Sequence, residues 1–224
     1  MLASTQEEPP DLAPSGLSFS GESAWNHSIE FSWSVGNRGV NPARGDWSDR
    51  IWLSTDTLVG AGDTLLATYD AAAQTPLAPA AAYEAESFAT LPVGLAGNLY
   101  LLVEADGNGR QVETDEANNA LAIPIYVNAP DLVVAAVQVP ANGRTGDPLS
   151  VTWRVENAGA APTAANAWSD RVLLSADATL GEDLVLGTVA RSGSLASGAT
   201  YTRSESVRLP EDLSGGNWYV LVVT

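Results

Sequence analysis

Apolar and polar residues alternate without a break over Ile29, Phe31, Trp33 and Val35, with Glu30, Ser32 and Ser34 between them. A period of two puts alternate side chains on opposite faces of an extended chain, so this segment predicts a half-buried β-strand. The beat returns at Leu149, Val151, Trp153 and Val155, interleaved with Ser150, Thr152 and Arg154. A helix would not keep it. Further strands are predicted near residues 11–19, 47–54, 63–70, 83–91, 97–105 and 119–127. They are separated by turn-forming runs such as Gly36-Asn37-Arg38-Gly39 and Gly60-Ala61-Gly62. Leu99 to Val103 is apolar on both parities, which marks a central strand. About seven short strands in little more than 100 residues predict a small immunoglobulin-like β-sandwich.

The pattern occurs twice. Pro10-Asp11-Leu12 returns as Pro130-Asp131-Leu132 and Trp33 as Trp153, both at an offset of 120 residues. Trp47-Ser48-Asp49-Arg50 returns as Trp168-Ser169-Asp170-Arg171, Leu91-Pro92 as Leu209-Pro210, and Gly97-Asn98-Leu99-Tyr100 as Gly216-Asn217-Trp218-Tyr219. The order is unbroken, and the small drifts in offset fall in loops, where insertions are tolerated. The expected organisation is therefore all-β. It has a tail over residues 1–10, a first sandwich over 11–128 and a second over 129–224, joined near Asn128-Ala129-Pro130. Thr224 aligns with Ala105, so the second copy has no counterpart of the polar loop 106–119 or of the strand 119–127. Tyr219 to Val223 is then expected to be an open sheet edge, completed by a strand from a longer parent chain.

Charge narrows the partners. Against 27 acidic residues stand 10 basic ones, all arginine, giving a formal net charge of -17. Such a polyanion is repelled by nucleic acid and by anionic lipid, and it attracts cations, Ca²⁺ first among those that prefer carboxylate oxygens. With no cysteine, disulfides and thiolate chemistry are excluded. The start MLASTQEEPP has no secretory pattern, and no apolar run is long enough to span a membrane as a helix. The single histidine, His27, lies in a polar stretch and has no counterpart in the second copy, which leaves no basis for a Ser-His-Asp site. No glycine-rich phosphate loop is present.

Taken together, Pro-Asp-Leu, the strand carrying Trp33, Asn37 and Gly39, and Trp47-Ser48-Asp49-Arg50 running into Leu53-Ser54-Thr55-Asp56 form one pattern. It continues as Tyr100-Leu101-Leu102-Val103-Glu104-Ala105-Asp106 and ends in Val112-Glu113-Thr114-Asp115-Glu116-Ala117-Asn118-Asn119. This pattern resembles the CARDB repeat, the cell-adhesion-related domain of bacteria. The resemblance covers most of both copies. It implies an immunoglobulin-like sandwich, an extracellular or cell-surface setting, and a role in adhesion or spacing. The second copy departs from the family by lacking the Glu and Asn-Asn segment.

Three groups of residues are candidates for more than folding. In the loop 106–119, oxygens of Asp106, Asn108, Glu113, Asp115 and Glu116 are candidate Ca²⁺ ligands, since crowded carboxylates repel until a cation binds. The competing reading is a long hairpin loop whose Asp-Gly and Asn-Gly steps turn the chain while Asn118 and Asn119 bond to backbone. Trp52 lies on the opposite parity from Ile51 and Leu53, and Trp25 lies outside the repeat. Either, if exposed, is a surface for stacking on a sugar or anchoring a partner, against partial burial as the plainer reading. Trp33, Trp153, Trp47 and Trp168 have inward phase and are expected in the core. Asp49 and Asp170 share that phase; because an unpaired buried carboxylate is costly, both are expected at the rim, bonded to backbone N–H groups or an arginine. Asp56 and Asp63, like Asp177 and Asp183, bracket glycines in both copies and read as turn residues.

These readings rank three functions. First is a non-enzymatic extracellular segment for adhesion or surface spacing, whose partners are neighbouring repeats and a cell-surface protein or glycan. Second is a carbohydrate-binding accessory module of a secreted hydrolase, and third an enzyme.

Overall fold

The structure, a computed structural model, describes residues 8–224. Most of the predicted tail over residues 1–10 lies outside them. The chain divides into two compact units, the first ending at Asn128 and the second spanning Ala129–Thr224.

Among the described residues, seven strands build the first unit: β1 (Leu12–Ser20), β2 (Ser28–Asn37), β3 (Ser48–Ser54), β4 (Thr64–Asp70), β5 (Ala82–Thr90), β6 (Gly97–Glu104) and β7 (Ala120–Val127). They form two antiparallel sheets, ordered β1-β2-β5 and β4-β3-β6-β7. The alternation read from the sequence is the alternation of burial. Ile29, Phe31, Trp33 and Val35 on β2 meet Ile51 and Leu53 on β3, and Leu99, Leu101 and Val103 on β6, in one core between the sheets. β6 lies between β3 and β7, and its outward Leu102 is buried as well, so the doubly apolar strand is central. β7 is the edge, and there Pro124 is tolerated because its missing N–H interrupts no inner ladder.

The second unit repeats the plan with six strands: β8 (Leu132–Gln138), β9 (Pro148–Asn157), β10 (Ala167–Ser175), β11 (Leu184–Ser192), β12 (Thr200–Arg208) and β13 (Tyr219–Val223). Its sheets are β12-β9-β8 and β11-β10-β13, the same order with no seventh strand. Irregularities recur along with the regular parts. The register of β1 on β2 slips between Ser15 and Ser18, and that of β8 on β9 between Val134 and Ala136. The register of β3 on β4 slips between Ile51 and Trp52, and that of β10 on β11 between Val172 and Leu173. The β3 and β10 bulges fall at matched positions and the β1 and β8 ones within a residue or two of each other, so the copies share their irregularities as well as their pairing.

A buried asparagine ends the second strand of each copy. Asn37 Oδ1 accepts from the N–H of Asp11 and Gly39, while its Nδ2 donates to the carbonyls of Asn41 and Leu77. Asn157 repeats all four bonds with Asp131, Gly159, Ala161 and Leu195. The glycine two residues on is required by contact. A Cβ on Gly39 would come 2.7 Å from the backbone of Pro10 and Asp11, and one on Gly159 would come 2.4 Å from Ala129 O and Asp131 N.

Candidate functional site

The loop after β6 turns back at once. Asp106, held at a φ of 48°, accepts from the N–H of Arg110 (2.9 Å) and Gln111 (2.7 Å), which folds the Asp-Gly-Asn-Gly run onto itself. Asn108 then reaches across to β3, its Oδ1 accepting from Ser48 N–H and its Nδ2 donating to Asp46 O. Glu113 is buried at 7% exposure; its Oε2 accepts from Leu12 N–H at the start of β1, and its Oε1 from Asn119 Nδ2. Asp115 caps a single 3-10 turn over Glu116–Asn118 by accepting from Ala117 N–H. Glu116 accepts from Glu113 N–H and from Asn119 Nδ2. Asn118 Nδ2 donates to Asp11 Oδ1, so this pair of asparagines bonds to carboxylates and not, as expected, to backbone.

The five candidate Ca²⁺ ligands are thus spread along a strap that ties β3 to β1. Glu113 and Glu116 share Asn119, whereas Asp106, Asn108 and Asp115 each face their own N–H donors. Among the described residues, no three His, Asp or Glu side chains are grouped so as to hold a metal ion.

Burial chiefly, then the nearby charges of Glu116, Asp106 and Asp11, push the Glu113 carboxyl up to about 7, although the Leu12 N–H pulls it down. Burial likewise raises Asp106, against the pull of its two backbone donors. A carboxyl raised in the folded state favours the protonated fold, so the stability it contributes is complete below the ordinary carboxylate range and is lost as pH climbs through its folded value. The first unit should therefore lose on the order of 2 kcal/mol between pH 4.5 and pH 8 through Glu113. Glu113→Gln keeps an acceptor for Leu12 N–H and carries no charge to desolvate, at the cost of the bond from Asn119 Nδ2, which keeps its bond to Glu116. This variant is expected to flatten the decline and to be the more stable protein at pH 8. Urea unfolding followed by amide exchange at β1 measures it; equal destabilisation at both pH values would refute the account.

Asp49 is not at the rim. It is 0% exposed, and Asp170 is 1% exposed. The Asp49 side chain points inward, as the phase predicts; a backbone bond from Asp106 reaches it as expected, but the side-chain donors are aromatic residues of the opposite sheet and not an arginine. Trp33 Nε1–H (2.9 Å) and Tyr83 Oη–H (2.7 Å) both donate to Asp49 Oδ2, and Trp47 Nε1–H donates to Tyr83 Oη (3.1 Å). The second copy matches it: Trp153 Nε1–H (2.7 Å) and Tyr201 Oη–H (2.8 Å) donate to Asp170, and Trp168 Nε1–H to Tyr201 Oη (3.1 Å). Each network bolts the two sheets of its sandwich together. Burial raises Asp49 to about 6 in spite of the Tyr83 and Trp33 bonds, and burial with the adjacent Asp49 charge pushes the Tyr83 hydroxyl up. The tyrosines were missed in the sequence reading. Tyr83 and Tyr201 keep the offset of Leu91-Pro92 and Leu209-Pro210, which was the available signal.

One tryptophan departs from the expected core. Trp168 is half-buried, while its counterpart Trp47 is buried. In the first unit the strap crosses this end, with Gly107 N–H donating to Ser48 O; in the second, the Arg191 guanidinium lies 5.2 Å from the Trp168 ring and 4.5 Å from that of Tyr201.

Neither candidate sugar-stacking residue is a free platform. Trp52 is half-buried beside its cross-strand partner Leu102, its Nε1 donating to Glu104 Oε2 (3.0 Å) and the Arg50 guanidinium lying 5.9 Å from its ring. Trp25 packs on the core, its Nε1 donating to Leu95 O (2.7 Å). His27 lies against Glu22 on the surface. Asp56, Asp63, Asp177 and Asp183 accept from loop N–H groups at Leu58, Gly60, Thr179 and Gly181, as turn residues do.

The strand orders define all-β, immunoglobulin-like sandwiches. Similar solved structures include the CARDB domain of a Pyrococcus furiosus protein crystallised in complex with di-metal ions. It is 20% identical, covers 55% of this chain and 97% of its own, and has a TM-score of 0.40. A solution structure of that domain is 21% identical with the same TM-score, over 54% of this chain and 96% of its own. The β-glucosidase 3B of Thermotoga neapolitana, in complex with α-D-glucose, is 14% identical over 53% of this chain and 16% of its own, with a TM-score of 0.37. No family model and no curated protein matches the chain. Among the described residues no helix is long and apolar enough to cross a membrane.

Proposed function

We propose that the chain is a non-enzymatic segment of an extracellular bacterial protein, acting in adhesion or as a surface spacer. One observation carries this reading: the same cross-sheet network and the same four-bond asparagine are built twice, so the polar side chains buried in each copy are spent on holding the copy together. A tandem of self-contained sandwiches makes length, and a net charge of -17 keeps such an array soluble and apart from its neighbours. Calcium belongs to this proposal through the strap, where a cation beside Glu113 and Glu116 would offset the repulsion between their carboxylates.

The test is attachment. Beads carrying the chain are expected to bind protein-coated or glycan-coated surfaces in Ca²⁺ more than in chelator if the segment is adhesive. They should bind neither if it is a spacer. Glycan binding that is lost in Trp52→Ala would move the accessory-module reading to the front, and turnover of any glycan would overturn the non-enzymatic one.

A further inference from the structure

The two units carry the same three-stranded sheet with opposite charge on its outer face. In β1-β2-β5 and in β8-β9-β12 alternate residues point outward, and β1 and β8 contribute no charge to either face. The middle strands match at an offset of 120, as Trp33 and Trp153 do, and the strands beside them at 118, as Tyr83 and Tyr201 do. At these offsets Glu30 gives way to Ser150, Ser34 to Arg154, Glu84 to Thr202, Glu86 to Ser204 and Thr90 to Arg208. One exchange runs the other way, with Glu156 where the first unit has Gly36. The outward rows of the first face therefore hold three carboxylates and no arginine, and those of the second two arginines and one carboxylate.

Between the charges both faces carry small hydroxyl side chains. Ser18 and Ser32 bond to each other across β1 and β2 (3.0 Å), and Thr152 and Ser204 across β9 and β12 (2.7 Å). On the first face a hollow of about 170 Å³ opens between Glu30 and Glu86, with Ser18 and Ser32 lining it. Phe88, the cross-strand partner of Glu30, is 75% exposed. Two carboxylates with an aromatic ring alongside suit a guanidinium, whose fork bonds to the one and whose plane stacks on the other. On the second face the arginines are loosely held. Arg154 lies 3.9 Å from Glu156 and Arg208 3.4 Å from Glu211, with the arginine side chains 47% and 72% exposed. Exposed pairs of this kind contribute little, so either guanidinium is free to turn to a better partner.

We propose that the outer face of β1-β2-β5 in one chain docks against the outer face of β8-β9-β12 in another, with Arg154 seated in the hollow between Glu30 and Glu86. The occupant of each face is a second copy of this chain. At a net charge of -17 two chains repel wherever like faces meet. This pair of faces is the exception, and repulsion elsewhere makes it the selected contact. Each chain presents one face of each kind, so the contact is head-to-tail and either closes a ring or propagates. It uses no glycan and no Ca²⁺, and it stands or falls apart from the adhesive reading.

Sedimentation of the intact chain at rising concentration is the test. Self-association is expected. It should weaken roughly tenfold or more in Glu84→Arg with Glu86→Arg, and by as much in Arg154→Glu with Arg208→Glu, since in each variant the two faces carry like charge. An equimolar mixture of the two variants should recover the parent's association within about threefold, because the reversed first unit of one variant then meets the reversed second unit of the other. All four positions are exposed, so both variants should keep the parent's melting temperature. A parent that stays monomeric at millimolar concentration overturns the proposal. So does a variant that associates as the parent does, or a mixture no more associated than its components.

Discussion

Asp49→Ala is expected to destabilise the first unit by about 4 kcal/mol, because it strands Trp33 Nε1–H and Tyr83 Oη–H in the core and opens a cavity between the sheets. The equivalent Asp170→Ala should cost less, about 2 kcal/mol, because Tyr201 is half-buried and its hydroxyl can turn to water. Asp49→Leu combined with Trp33→Phe and Tyr83→Phe removes both donors along with their acceptor and leaves only Trp47 Nε1–H without its partner, so it should recover part of the loss. Chemical denaturation of the three proteins, read by a probe in β2, decides the matter. If the triple variant is as unstable as Asp49→Ala, the cost lies in packing and not in orphaned donors. The buried Asp49 charge adds a pH dependence of the same sign as Glu113. Its folded value of about 6 lies above the ordinary 3.8, so the stability it contributes is complete below pH 3.8 and is lost through pH 6.

The strands could be read from the residues because half-burial leaves a period of two on the chain, and Phe31, Trp33 and Val35 keep it without interruption. The doubly apolar Leu101-Leu102-Val103 likewise betrayed a strand paired on both sides. The site was less legible, for a physical reason. A carboxylate's position in an inward phase is visible in sequence, but the partner that makes its burial tolerable lies one strand away in space and 34 residues away in the chain, as Tyr83 does for Asp49. Desolvation argued for the rim; two aromatic donors from the facing sheet made the interior possible. The acidic loop misleads in the same way. Five oxygens close in sequence look like one cation site, yet an irregular loop has its own backbone donors to satisfy, and Asp106 and Asp115 are consumed by them. Trp168 shows the limit of arguing by repetition, because equal phase gives equal burial only when the same strap crosses both ends.

The asparagine that closes β2 and β9 should be nearly as costly to remove as Asp49. Asn157→Ala leaves the N–H of Asp131 and Gly159 and the carbonyls of Ala161 and Leu195 without partners in a site that is 0% exposed. A loss of about 3 kcal/mol is expected in the second unit, with the first unchanged. Asn157→Asp is the sharper variant, for it preserves both bonds accepted by Oδ1 and loses only those donated by Nδ2. If the side chain acts mainly as an acceptor that fixes the start of β8 against Gly159, aspartate should recover about half of the loss at pH 4, where it is protonated in a buried site, and little at pH 8. Amide exchange at Asp131 and Leu132 reports the outcome directly. Equal protection in the alanine variant and the parent would show that the close approach of Gly159 to Pro130, and not the asparagine, sets the strand's starting point.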